Sequence, residues 1–205
     1  MEFEVHRYAA LAMAYDTCFE RLDAVRRANV QRSLRRAVAH YERQIVGNDW
    51  WYRNNPSNTI GVGNGASALC ALALRHEEPA RAKAVAAIAA KTIHGSFRGV
   101  APDGGCLEGN MYWNYGMHFP LLLGLALRNL DGDDQGLLRT KQLENAHRYA
   151  ENILGGDGRM ITFNDTQPWL NGWVVVSAAA GEFDRPGMRW LADHMASEFA
   201  KGGTA

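Results

Sequence analysis

Apolar residues recur at helical spacing from one end of this chain to the other, and almost nothing alternates with the two-residue period of a strand. Residues 5–19 fit one helix and residues 21–46 a second, with Leu22, Val30, Leu34, Val38, Tyr41 and Ile45 among its apolar or aromatic positions. "SALCALALRH" (67–76) predicts a third. In "EEPARAKAVAAIAAKTIHG", Pro79 stands where a first-turn proline belongs and Gly95 where a helix stops, which predicts a fourth. Further helices are expected over about 111–129, 135–154, 169–180 and 187–200, and only "RMITF" (159–163) reads as a brief strand. Eight helices with mostly short connections predict an all-α fold of consecutive antiparallel hairpins, each helix apolar on one side. No fixed-period repeat is found, which argues against a TPR or HEAT array.

A chain of 205 residues forms one domain, burying roughly 70% of the surface its unfolded form exposes. Lysine plus arginine equals aspartate plus glutamate at 22 each, so no global field draws in nucleic acid, and a polyanion would have to be held by local arginines. Cys18, Cys70 and Cys106 are far apart and in no metal-binding spacing, which predicts free thiols and neither zinc nor any other cofactor. The apolar "YAALAMAY" near the start is too short to span a membrane and follows acidic residues, so it is neither an anchor nor a signal peptide; localisation is left open.

Two connections are longer than helical hairpins need: "VGNDWWYRNNPSNT" (46–59) and "GSFRGVAPDGGCLEGN" (95–110). Long connections inside a compact domain are usually functional. The first offers Trp50, Trp51, Tyr52, Arg53 and the amides Asn54, Asn55 and Asn58, a set of stacking surfaces, donors and one cation suited to a sugar acid. For each asparagine alone, capping a helix or making a turn is the commoner role. Beyond the second connection, Tyr112, Tyr115 and Phe119 are spaced i, i+3, i+7 and share a helix face near its positive end, where a phenol becomes a better proton acceptor. Such a stripe is most often core packing.

In order along the chain, "LAMAYD" (11–16), "WWYRNNPSNTIGVGNGASALCALAL" (50–74), "PDGGCLEGNMYWNYGMHFPLLLGLAL" (102–127) and "FNDT" (163–166) resemble the heparinase II/III-like and alginate-lyase-like polysaccharide lyases. The third block carries most of the likeness. The resemblance implies an (α/α) toroid and β-elimination on a uronate-containing acidic polysaccharide, with Tyr115 as the proton-transfer residue and Asn58 as the group that neutralises the substrate carboxylate, Asn55 being the reserve for that role. It also implies subsite roles for Glu108, Tyr112 and Trp113, and sugar contacts from Trp51 and Arg53. By spacing, His118 follows Tyr115 by three and falls near it, although a lone histidine on a helix is more often surface or satisfied core. "FNDTQPWLNGW" sets Asp165 and Trp169 as candidates for the cleft rim, although an Asp before Thr-x-Pro is more often an ordinary turn starter. Thr59 stands where many members carry His or Trp, and "EGNM" where Glu-Gly-Pro-Gly is common. Members usually have more toroid upstream and a β-sandwich downstream, so residues 1–205 are expected to be one helical domain, part of a larger toroid, from a periplasmic or secreted protein. Two alternatives stay open: a glycoside hydrolase on the same architecture using Glu108 and Asp165, and a non-catalytic carbohydrate-binding module.

Overall fold

The computed structural model describes residues 2–96, 99–164, 166 and 172–200. Among these it is all-helical: α1 (Glu2–Cys18), α2 (Ala24–Val46), α3 (Trp50–Arg53), α4 (Asn58–Ala73), α5 (Pro79–Ser96), α6 (Asn110–Asp131), α7 (Lys141–Glu144), α8 (Ala146–Asn152), α9 (Trp173–Phe183) and α10 (Pro186–Ala200). Consecutive helices pack in pairs, α1 on α2, α4 on α5 and α9 on α10. The cysteines are free thiols, two of them buried.

α4 is the hub, touching α1, α2, α3, α5 and α6. Every residue from Ile60 to Ala73 is buried, so this helix is apolar all round rather than on one side as expected. It begins at Asn58, with Ser57 as its cap, and runs through the glycine-spaced stretch into "SALCALAL". Three glycines in its first half lower its intrinsic propensity, each by about 1 kcal/mol relative to alanine. What offsets that cost is close packing. A Cβ at Gly65 would come within 2.7–2.8 Å of Phe119, and one at Gly63 within 2.9 Å of the Tyr52 ring, while one at Gly61 would overlap the carbonyl oxygen of Gly116.

The Gly116 carbonyl is available for that approach because of Pro120. A proline inside α6 has no N–H to give to the carbonyl four residues earlier. Gly61 packs its bare backbone against that oxygen, and Gly116 in turn lies so close to Asn58 that a Cβ on it would meet the Asn58 Cα and Cβ at 2.9 Å. A buried amide completes the hub. Asn64 is fully buried, donates to the carbonyls of Tyr52 and Ile60 at 2.9 Å each, and accepts from the Tyr41 hydroxyl at 2.6 Å, tying α2, α3 and α4 together.

The second half is less regular than its sequence suggests. Instead of one helix over 135–154, the chain makes a 3₁₀ turn at Leu137–Arg139, then α7 and α8. Gly136 takes a left-handed conformation (φ 78°) and Thr140 an extended one, its hydroxyl capping α7 at Leu143 N–H, 3.2 Å away. "RMITF" forms only an isolated bridge, Met160 to Leu154. The ion pair of Arg128 with Glu182 joins α6 to α9.

Between α2 and α5, Arg81 holds Glu42 at 2.7 Å and Glu78 at 2.8 Å, and Arg35 also holds Glu78. Hydrogen bonds from Arg81 to Glu42, and from Arg35 and then Arg81 to Glu78, hold both carboxyls below their ordinary 4.5. Carboxyls depressed by folding contribute stability above the unfolded value and lose it as pH falls through the folded one. The urea midpoint is therefore expected to drop once the pH goes below 4.5, and Arg81→Gln should flatten that acid limb by lowering the midpoint near neutrality while changing little at the acid end. For the central crossing, Gly61→Ala is expected to cost about 3 kcal/mol in urea unfolding by overpacking the crossing, whereas Gly95→Ala, with open space at its Cβ position, should cost under about 1 kcal/mol.

Candidate functional site

The helices around the start of α4 leave a cleft of about 920 Å³. α1, α3, α4, α6 and the loop ahead of α6 all contribute to its lining. α3 exists because Asp49 accepts from the Trp51 N–H at 2.9 Å, a cap on a helix only one turn long. This turn presents Trp50 and Trp51, 52% and 48% exposed with their rings 5.0 Å apart, as the cleft's outer aromatic wall. Indole faces half open to water are what a stacked pyranose needs.

Tyr112 and Tyr115 line the cleft from the first turns of α6, as their three-residue spacing requires. Trp113, one residue on from Tyr112, is turned by about 100° onto the opposite side of the helix. It is 1% exposed, packs 5.3 Å from Tyr149, and lies under Gly172, whose φ of 98° brings the backbone onto the indole. The aromatic cluster is therefore divided: two phenols face the cleft and the indole between them belongs to the core. Trp113 reaches only a narrow void of about 20 Å³ that shares Asn58, Glu108 and Tyr112 with the cleft. Its expected subsite role is corrected accordingly.

The partner of Tyr115 is a residue that sequence reasoning passed over. His6, on α1, stacks its ring on Tyr115 with centroids 4.8 Å apart and an interplanar angle of 26°, and its Nε2 is hydrogen-bonded to the Tyr115 hydroxyl. His6 lines the same cleft. With a separation of 109 residues, no spacing rule links the two. His118, expected near Tyr115, does not line the cleft. It sits half-buried with its ring 5.5 Å from Phe119, and burial lowers its pKa.

Asn58 is the first residue of α4, and Glu108 reaches across from the loop before α6 to hold it twice. The backbone N–H of Asn58 donates to Oε2 at 2.8 Å and its side-chain Nδ2 to Oε1 at 3.0 Å. A carboxylate at a helix N-terminus satisfies an orphan N–H and meets the positive end of the helix dipole. Both Glu108 oxygens are thus committed to one residue, and the amide is fixed in orientation. Its Nδ2 carries a second hydrogen for another acceptor. Asn55 also touches the cleft but is 4% exposed and doubly used: Oδ1 accepts from Ser57 N–H at 3.0 Å and Nδ2 donates to Thr59 Oγ1 at 3.0 Å. Each amide nitrogen gives one hydrogen to a neighbour, and of the two Asn58 is the more exposed.

Arg53 is exposed and absent from the lining, so it does not supply the expected cation. Asp165 and Trp169 lie outside the described residues. Among the described residues the cleft is lined by one carboxylate, Glu108, one imidazole, His6, and neither lysine nor arginine. The described residues contain no group of three His, Cys, Asp or Glu able to hold a metal ion, and no helix long and apolar enough to cross a membrane.

Replacing Glu108 with alanine removes two charge-assisted bonds and a helix-end anion, and is expected to lower unfolding stability by about 2 kcal/mol in urea titrations, with Glu108→Gln losing about half as much because its amide oxygen still accepts one of them. No model of a known protein family matches the chain, and comparison with curated proteins finds no match either.

Proposed function

We propose that the cleft binds a uronate-containing polysaccharide and cleaves it by β-elimination, with Tyr115 and His6 moving the proton and Asn58 neutralising the carboxylate. The observation that carries this reading is the hydrogen-bonded, ring-stacked pair of Tyr115 and His6 in the same cleft as an oriented asparagine.

The chemistry needs three things. The C5 proton of a uronate is weakly acidic because removing it pushes a second negative charge towards the adjacent carboxylate. An amide hydrogen on that carboxylate stabilises the charge as it develops, and Asn58 has one available while Glu108 holds the other. Glu108 acts through Asn58 and is a positioning residue. A base must then take the proton. Tyr115 passes its hydroxyl proton to Nε2 of His6, and the resulting phenolate oxygen abstracts hydrogen from C5. The C5 electron pair becomes the C4–C5 double bond, the C4–O4 bond breaks, and the leaving oxygen takes a proton from Tyr115, which recovers its own from His6. No water is consumed and no metal is required for the balance.

Trp50, Trp51 and Tyr112 supply stacking surface along the cleft. The two committed oxygens of Glu108 support a lyase over a hydrolase, since a general acid for glycoside hydrolysis must carry a proton towards the glycosidic oxygen rather than accept two N–H groups. The same reading takes the packed helix pairs as part of an (α/α) toroid.

Incubation with alginate, heparin and hyaluronan, followed by the ultraviolet absorbance of the unsaturated product, tests the reading. Tyr115→Phe and His6→Ala are each expected to lower kcat by about 10²–10⁴-fold, and Asn58→Ala by a similar factor. Cleavage products without the unsaturated chromophore, or a Tyr115→Phe variant at full rate, would exclude β-elimination by this pair.

A further inference from the structure

The cleft does not end at its own walls. Val5 and Tyr52 are shared with a smaller hollow of about 180 Å³ beside α2, which also contains His40 and Arg36. Arg36 is shared in turn with an open groove of about 480 Å³ between α2 and α5, where Arg32, Arg35 and Arg81 converge. The three hollows thus follow one another, Tyr52 lining the first two and Arg36 the last two.

The arginines of the groove fall into two kinds. Arg35 and Arg81 are engaged by Glu78 and Glu42. Arg32 and Arg36 are exposed and, among the described residues, make no ion pair. Four guanidinium groups against two carboxylates leave two positive charges in the groove. Arg32, Arg36 and His40 are spaced i, i+4, i+8, so they follow one face of α2 at about 6 Å per step, towards the ring of Tyr52, whose centroid is 6.2 Å from that of His40. Like charges one turn apart on a helix repel each other, and among the described residues no carboxylate pairs with either arginine. An anionic chain lying along the face would.

We propose that this face of α2 is a binding track for the part of an acidic polysaccharide that extends beyond the cleft, with Arg32 and Arg36 pairing with successive carboxylate or sulfate groups and Tyr52 at the junction of track and cleft. The inference rests on the polyuronate reading of the cleft, and it supplies the cations that the cleft itself lacks. Planar guanidinium groups suit bidentate pairing with such anions. The chain's balanced charge and the shortness of the track favour a sugar acid over nucleic acid.

The test compares a short uronate oligomer that fills the cleft alone with a long one of the same polymer, by fluorescence anisotropy at low and high salt, on the wild-type chain, Arg32→Gln/Arg36→Gln and Tyr115→Phe. Both arginines are on the surface, so the double variant should fold; circular dichroism checks that it does. The long oligomer is expected to bind the double variant about tenfold more weakly than wild type, with a shallower salt dependence, and the short oligomer equally well. Unchanged affinity for the long oligomer, alongside turnover lost in Tyr115→Phe, overturns the track and leaves the lyase reading standing. Salt-dependent binding of the long oligomer that the double substitution removes, with no turnover by wild type, establishes the track and removes the lyase reading. Equal or tighter binding of a single-stranded oligonucleotide matched in length and charge overturns the assignment to a polysaccharide.

Discussion

The crossing of α4 and α6 holds the molecule in its shape, and it depends on absent atoms. Gly61 meets the carbonyl of Gly116, Gly65 meets the backbone of Phe119, and Gly116 meets Asn58. Backbones approach this closely only where no Cβ intervenes. Pro120 contributes by the donor it lacks, leaving the Gly116 carbonyl without its usual partner inside the helix and open to α4. Cα–H···O contacts of this kind are individually weak. Their value lies in registry: with three glycines interlocked, α6 cannot slide or rotate on α4 without a clash.

That registry positions the site. Asn58 rests on Gly116, so the residue before Gly116, Tyr115, is carried to the same cleft as the start of α4. Glu108, just ahead of α6, then reaches the Asn58 amides from the opposite direction. One close contact and two hydrogen bonds thus place the phenol and the amide in a common hollow. The asparagines in this region divide by role. Asn64 and Asn55 are buried with both ends of their amides engaged by neighbours, whereas Asn58 is only partly buried and is held by Glu108 through its nitrogen. A satisfied polar network beneath a cleft stiffens it, because breaking any member strands a buried donor or acceptor.

Much of this was legible in the sequence, for identifiable reasons. Helix α5 was marked at both ends by Pro79 and the Gly95 region, and the Tyr112–Tyr115 face followed from helical spacing. The start of α4 carries glycines that count against helix in isolation, and only the tertiary crossing explains why they are there. Residues 135–154 were misread as one helix because periodicity does not register a left-handed Gly136 followed by a new cap at Thr140. Trp113 was grouped with its neighbours by proximity in sequence, although adjacent helical residues face different ways. His6 was invisible because its pairing with Tyr115 exists only in three dimensions.

The electrostatics of the cleft bear on what it can bind. Its described lining holds an anion that is already neutralised by two N–H groups and the end of a helix, together with an imidazole and several aromatic faces. Such a surface attracts a polyanion weakly at long range, but it is suited to stabilising charge that appears during a reaction, since oriented amides and an imidazole need no rearrangement when that charge develops. Long-range attraction requires net cations, and among the described residues Arg32 and Arg36 lie on the neighbouring face of α2, outside the cleft. With no guanidinium in the described lining, the groups held in fixed orientation there are the Asn58 amide, gripped by Glu108, and the hydrogen-bonded Tyr115–His6 pair.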